Sequence, residues 1–284
     1  MFDRFVVVDW SANSTPKRGR DSIWIAVSAG DDVSVSNPST RWAAERFLSE
    51  LIVADPTGRT LIGVDFSLGY PGGTADALGL PGSAWESMAG LLGESIVDDD
   101  RNANNRFEVA AALNAQMTAT GAPFWGCPPS RAGDTLTVTK PTSFAPLGEW
   151  REVEALLREQ GHRPFSSWQL LGAGAVGSQS LLGIPMVHRL TATFADRVSI
   201  WPFTTGLRAP AVDRGAVVFA EVWPSLLPLD VGDGLVRDEA QVVALAEWLT
   251  GLDGSGRLAE LFAPGVVDAA RVEQEEGWVL GVER

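Results

Sequence analysis

Phe5-Val6-Val7-Val8-Asp9-Trp10-Ser11 is the stretch on which the fold turns. Three successive valines behind an aromatic residue favour a strand, because β-branched side chains suit a pleated, packed surface, and the run stops on a carboxylate. That ending recurs twice. Val64-Asp65-Phe66-Ser67 closes a second apolar run over residues 60–66, and Glu221-Val222-Trp223-Pro224-Ser225 closes a third over 216–222. Three strands that end in acids place those acids beyond the carboxyl ends of the strands, where open α/β sheets form their ligand crevice.

The flanking segments complete a mixed α/β pattern. Residues 22–28 alternate Ile23, Ile25 and Val27 with Trp24 and Ala26, so they pair with the first strand as a hairpin whose long polar tip, 11–21, carries Pro16 and Gly19. Residues 32–36 add a short third strand. From Thr40, a good N-cap, Trp42, Phe47, Leu48 and Leu51 recur at helical spacing up to the Asp55-Pro56 stop. Residues 70–163 are loop-rich, with helical patterns at 84–96 and 106–118, and read as an insertion in a single domain spanning 1–284. Regular structure returns with a helix over 181–194, a strand over 197–202 and a helix from Arg237 to Leu249.

Composition narrows the chemistry. Across 284 residues, 22 Lys+Arg against 36 Asp+Glu give a formal charge of -14, which opposes any surface that coats duplex DNA by neutralising many phosphates. One cysteine, Cys127, and two histidines, His162 and His188, exclude a disulfide framework, a cysteine-rich metal site and a multi-histidine site. No apolar stretch approaches the ~18 residues of a membrane span. The first apolar run is also too short for a secretory signal, so the expected location is cytoplasmic. The oligomeric state is open.

A fourth acid comes from helix geometry. Asp238 shares its helical stripe with Val242, Leu245 and Leu249, so it is expected on the sheet-facing side. Strands ending at Asp9 and Asp65, if neighbours, run about 4.8 Å apart and their carboxylates repel. Mg²⁺ or Mn²⁺ would relieve that repulsion through oxygen ligands. The competing reading is that each acid caps a local turn.

Other residues are weighed against blander roles. Lys17, Arg18 and Arg20 on the hairpin tip form the densest basic cluster and are candidates to hold a phosphate, or else a solvated tip. Arg106, with Arg101 and neighbouring asparagines, suggests a polar lid that binds a nucleotide, while Asp98 to Asp100 read as a solvated charge run. Gly172-Ala173-Gly174-Ala175-Val176-Gly177 matches a dinucleotide fingerprint, but a clear strand does not precede it. A helix N-terminus open to phosphate is the remaining use of that loop. Cys127 lacks the basic setting of a nucleophile, and neither histidine has a relay partner. Trp10, Trp125 and Trp223 are candidates to stack a base.

The chain resembles a family of predicted nucleases of ribonuclease-H-like fold, a domain family of unknown function. The resemblance rests on Val7-Val8-Asp9-Trp10-Ser11-Ala12 with Lys17-Arg18-Gly19-Arg20-Asp21-Ser22, on Gly63-Val64-Asp65-Phe66-Ser67, on Glu221-Val222-Trp223-Pro224 and on Glu276-Gly277-Trp278. It implies a ribonuclease-H-like mixed sheet flanked by helices, with Asp9, Asp65, Glu221 and Asp238 as catalytic and metal-binding acids. The implied activity is metal-dependent phosphodiester hydrolysis on a short or single-stranded nucleic acid or a nucleotide. Ribonuclease-H-type enzymes also take a Glu from the first helix, for which Glu45 and Glu50 are equal candidates here. The alternatives are a nucleotide-binding module and a cofactor-biosynthesis protein on the same scaffold.

Overall fold

Val6, Val7 and Val8 are each fully buried, so the strand they build is covered on both faces. A computed structural model describes residues 1–172, 174–229 and 236–284. That strand, β1 (Arg4–Asp9), pairs antiparallel with β2 (Trp24–Ala29), which pairs antiparallel with β3 (Asp32–Ser36). On its other side β1 pairs in parallel with β4 (Thr60–Val64). Beyond β4, two further parallel strands, β5 (Val198–Ile200) and β6 (Val217–Glu221), complete a six-stranded mixed sheet of order β3-β2-β1-β4-β6-β5. Parallel strands need crossover connections; helices lie in those leading to β4 and β5, while residues 201–216 join β5 to β6 without one.

The two sheet faces divide the apolar residues by the two-residue period of a strand. Val6 and Val8 pack with Ala44, Leu48 and Ile52 of α1 (Arg41–Ala54). Between β4 and β5 the chain forms α2 (Thr74–Ala77), α3 (Ala84–Ser95), α4 (Arg106–Met117), α5 (Glu152–Glu159) and α6 (Gly177–Thr193). Leu181, Ile184 and Val187 of α6 join the same core. Phe5 and Val7 face the other way, onto Val242, Leu245 and Leu249 of α7 (Arg237–Gly254). The molecule is therefore a mixed α/β protein with helices on both faces of its sheet. No helix among the described residues is long and apolar enough to cross a membrane.

Thr40 caps α1 as expected, accepting the Ala43 N–H at 3.2 Å. The buried stripe of that helix is rotated from the expected one. Arg41, Ala44, Leu48 and Ile52 face inward, whereas Trp42 is 54% exposed. Arg41 tolerates burial because its guanidinium is fully engaged. It grips Asp98 at 2.5 and 2.6 Å and donates to the carbonyls of Ser11, Asn13 and Asn102. Asp98 is thus an ion-pair partner and not part of a solvated charge run. The same arginine ties the loop after β1 to the loop before α4.

Candidate active site

Parallel register brings the first two acids together. Val8 pairs with Val64, and the Asp65 N–H continues the ladder to the Val8 carbonyl at 3.1 Å. Asp9 and Asp65 therefore stand side by side at the carboxyl ends of the two central strands. Their carboxyl groups are close enough to perturb each other strongly, an arrangement that a shared proton or a cation would relieve. Burial is the largest cause pushing both carboxyls above the ordinary aspartate range, and the Asp65 charge raises Asp9 further. The Trp10 N–H, donating to Asp65 Oδ1 at 2.8 Å, opposes part of the rise at Asp65.

Asp238 joins this pair from the opposite layer. It occupies the first turn of α7 on the stripe of Val242, Leu245 and Leu249, and its charge raises both Asp9 and Asp65. Its Oδ2 accepts the Asp21 N–H at 2.7 Å. Asp21 has a left-handed φ of 53°, a conformation open to aspartate, and this turn carries the end of the hairpin loop onto the start of α7. Asp21 also raises Asp9, so a loop acid embedded in the basic motif belongs to the site's surroundings.

Glu221 has a different place. In the β4–β6 register Val64 pairs with Glu221, so Asp65 continues opposite Val222. Successive strand side chains alternate, and the one-residue offset turns Glu221 away from the face that Asp65 shares with Gly63 and Val222. Glu221 is instead held by the wholly buried Arg151, whose Nη2 and Nη1 reach its two oxygens at 2.6 and 2.7 Å. The Leu68 N–H supplies a third contact at 3.0 Å. Arg151 also binds Glu154 and the Glu276 carbonyl. The expectation that Glu221 is a metal ligand is revised accordingly: both its oxygens are engaged by a guanidinium that it shares with Glu154.

The candidate helix glutamates are elsewhere too. Glu45 pairs with Arg189 of α6 at 2.6 Å, and the exposed Glu50 pairs with Arg46 at 3.5 Å. Neither lines the crevice around Asp9. Among the described residues, no group of three or more carboxylate, imidazole or thiolate side chains stands ready to cage a metal ion. Two contiguous carboxylates nevertheless suit Mg²⁺, which keeps several waters and takes its remaining ligands from substrate phosphate.

Two cavities meet at this pair. One, of about 320 Å³, is lined by Asp9, Asp65 and Glu221 together with Phe165 and Trp223. The other, of about 680 Å³, is polar and is lined by Asp9, Asp21, Asp238, Arg106 and the loop after β1. Asp9, Gly174 and Gln179 border both, so they form one crevice with Asp9 at the waist. Gln179 is fixed there by its amide, which donates to the Trp10 carbonyl at 2.5 Å. The chain gives no match to a family model, a curated protein or a solved structure.

Arg106 lines the larger, polar cavity and Arg163 the smaller one. Arg106 is buried at the start of α4, and among the described residues its hydrogen-bond partners are neutral: Ser178 Oγ at 2.9 Å, Ser14 Oγ at 3.0 Å and Asn104 Oδ1 at 2.7 Å. Burial, aided by the Arg41 charge, lowers its pKa to about 10, so it remains protonated at neutral pH. Lys17, Arg18 and Arg20 do not line either cavity. Lys17 lies 3.5 Å from Asp21, while Arg18 and Arg20 are exposed on the tip. The glycine-rich loop enters α6 without a paired strand of its own, and Ala173 lies outside the described residues.

Proposed function

We propose that this protein is a divalent-metal-dependent phosphodiester hydrolase of nuclease-like chemistry on a ribonuclease-H-like scaffold. The observation that carries the reading is the close approach of the Asp9 and Asp65 carboxyl groups at adjacent strand ends inside a crevice. Sheet order supports the scaffold: the antiparallel hairpin flanks β1, and β4 follows in parallel after one helix. On that reading, residues 70–163 are an insertion within one domain.

Asp9 and Asp65 would hold Mg²⁺ or Mn²⁺, with Asp238 near enough to add negative potential. A bound ion there supplies Lewis-acid polarisation of a phosphoryl oxygen and a more acidic water. Arg106 has Nε and Nη1 engaged by Ser178, Ser14 and Asn104, and these bonds hold the guanidinium in place with its Nη2 donors as the group that would meet a phosphate oxygen. The start of α6 borders the same crevice without a side-chain cap, although its first N–H, that of Gly177, is taken by the Gln169 carbonyl at 2.9 Å. The charge of -14 favours a short or single-stranded substrate over long duplex.

Cleavage of a labelled single-stranded oligonucleotide tests the proposal. Activity should require Mg²⁺ or Mn²⁺, stop in EDTA, and vanish in Asp65→Asn with the circular dichroism spectrum unchanged. Full activity in that variant would remove the mechanism. The lack of a three-ligand cage among the described residues favours one second reading, a nucleotide-binding module that positions a magnesium–nucleotide complex. Magnesium-dependent nucleotide binding without cleavage of any oligonucleotide would select it.

A further inference from the structure

The cavity of about 320 Å³ beside Asp65 has two partly accessible aromatic side chains that its neighbour lacks. Trp223 and Phe165 line it together with Leu157, Val222 and Val279, giving an apolar patch in a slot whose other walls are polar. His162 meets the Trp223 ring edge to face, with centroids 5.6 Å apart at 80°, which fixes the indole plane. Phe165 is 43% exposed, so its ring is accessible to a ligand in the cavity. Arg163 lines the same cavity. At about 320 Å³ the slot falls in the small-ligand range and accommodates one flat ring system.

From this arrangement, and resting on the phosphodiester reading above, we infer that the Trp223–Phe165 cavity is a base subsite. It takes one unstacked nucleobase while the attached phosphate lies over the Asp9–Asp65 waist and the next sugar–phosphate enters the cavity of Arg106. Three features set this order. The accessible aromatic groups, Phe165 and Trp223, lie on one side of Asp9, the buried Arg106 guanidinium lies on the other beside the fully buried Trp10, and Asp9 and Gln179 border both. Asp21 and Asp238 on the polar side suit ribose hydroxyls, which donate to carboxylates. A base in the slot is out of any duplex stack, so the substrate class is a nucleotide or the end of a single strand.

Calorimetric binding to the full-length chain in Mg²⁺ tests the subsite without requiring turnover. The probes are a nucleoside 5′-monophosphate and ribose 5-phosphate, which differ only in the base. The base should improve affinity about tenfold to a hundredfold, the range of one base–aromatic stack. Trp223→Ala should erase that ratio, Trp223→Phe should retain most of it, and Arg106→Ala, whose cavity takes the next sugar–phosphate, should leave the ratio unchanged. Equal affinity for the two probes, a ratio unchanged in Trp223→Ala, or no binding of either probe overturns the subsite. Oligonucleotide cleavage is scored separately. Base-dependent binding without metal-dependent cleavage keeps the subsite and removes the hydrolase, whereas cleavage without base-dependent binding does the reverse.

Discussion

Asp9 and Asp65 leave adjacent parallel strands on the same face because Val8 and Val64 are paired. Four valine and isoleucine side chains that fill the core beneath them fix that register, and shifting it by one residue would expose the apolar set. The fold therefore forces two carboxyl groups close together, at a cost in stability that a proton or a cation relieves.

The cost has a defined pH dependence. Both carboxyls titrate above the ordinary aspartate value of 3.8, Asp65 at about 7, so protonation favours the folded state. This contribution is complete below the unfolded pKa and is lost as pH rises through the folded values. In EDTA, the melting temperature should fall between pH 5 and pH 8. Asp65→Asn should flatten that decline and melt about 5 °C above the wild type at pH 8. A wild-type melting temperature that is level across this window would show that the pair carries no strain.

Cation binding should replace the missing proton. At pH 8, Mg²⁺ or Mn²⁺ at a hundred times its dissociation constant should stabilise the fold by about 2.7 kcal/mol. EDTA should reverse the effect. Asp9→Asn and Asp65→Asn should each remove most of it, as read by thermal melts across a metal titration. Equal stabilisation of the wild type and both variants would place the cation elsewhere.

Glu221 should behave as a structural group. Arg151→Met leaves Glu154 and Glu221 buried without their shared cation and should cost about 3–5 kcal/mol in urea unfolding. Glu221→Gln leaves Arg151 paired with Glu154 and should cost less. The Mg²⁺-induced rise in melting temperature should survive in Glu221→Gln. Its disappearance there would restore Glu221 to the set of metal ligands.

The strands, the Thr40 cap and the Asp9–Asp65 pairing were legible because each rests on a local pattern: a β-branched run, a capping hydroxyl, an acid at a strand end. Residues buried through charge were not. Nothing in the sequence around Arg41 and Arg151 reveals partners as distant as Asp98 and Glu221. The Glu221 placement did leave a trace. In Val64-Asp65 the valine precedes the acid, while in Glu221-Val222 it follows, and this one-residue inversion sends the two acids to different faces. Phe165 and Gln179 reach the crevice only through the long connection between β4 and β5, which no local periodicity describes.

Arg106 separates phosphate recognition from folding. Its fork is held by Ser14, Asn104 and Ser178, all neutral, so removing the charge strands no buried carboxylate. Arg106→Ala should therefore melt within a few degrees of the wild type yet lose about a hundredfold in kcat/KM for oligonucleotide cleavage, the scale of one oriented donor to a reacting oxyanion. Arg106→Lys keeps the positive charge but loses the planar fork, and should recover only part of that loss. Recovery should come mainly through KM, because a point charge still attracts phosphate while failing to orient it. Full recovery by lysine would mean that Arg106 acts through long-range potential alone. Wild-type kcat/KM in Arg106→Ala would take it out of the site.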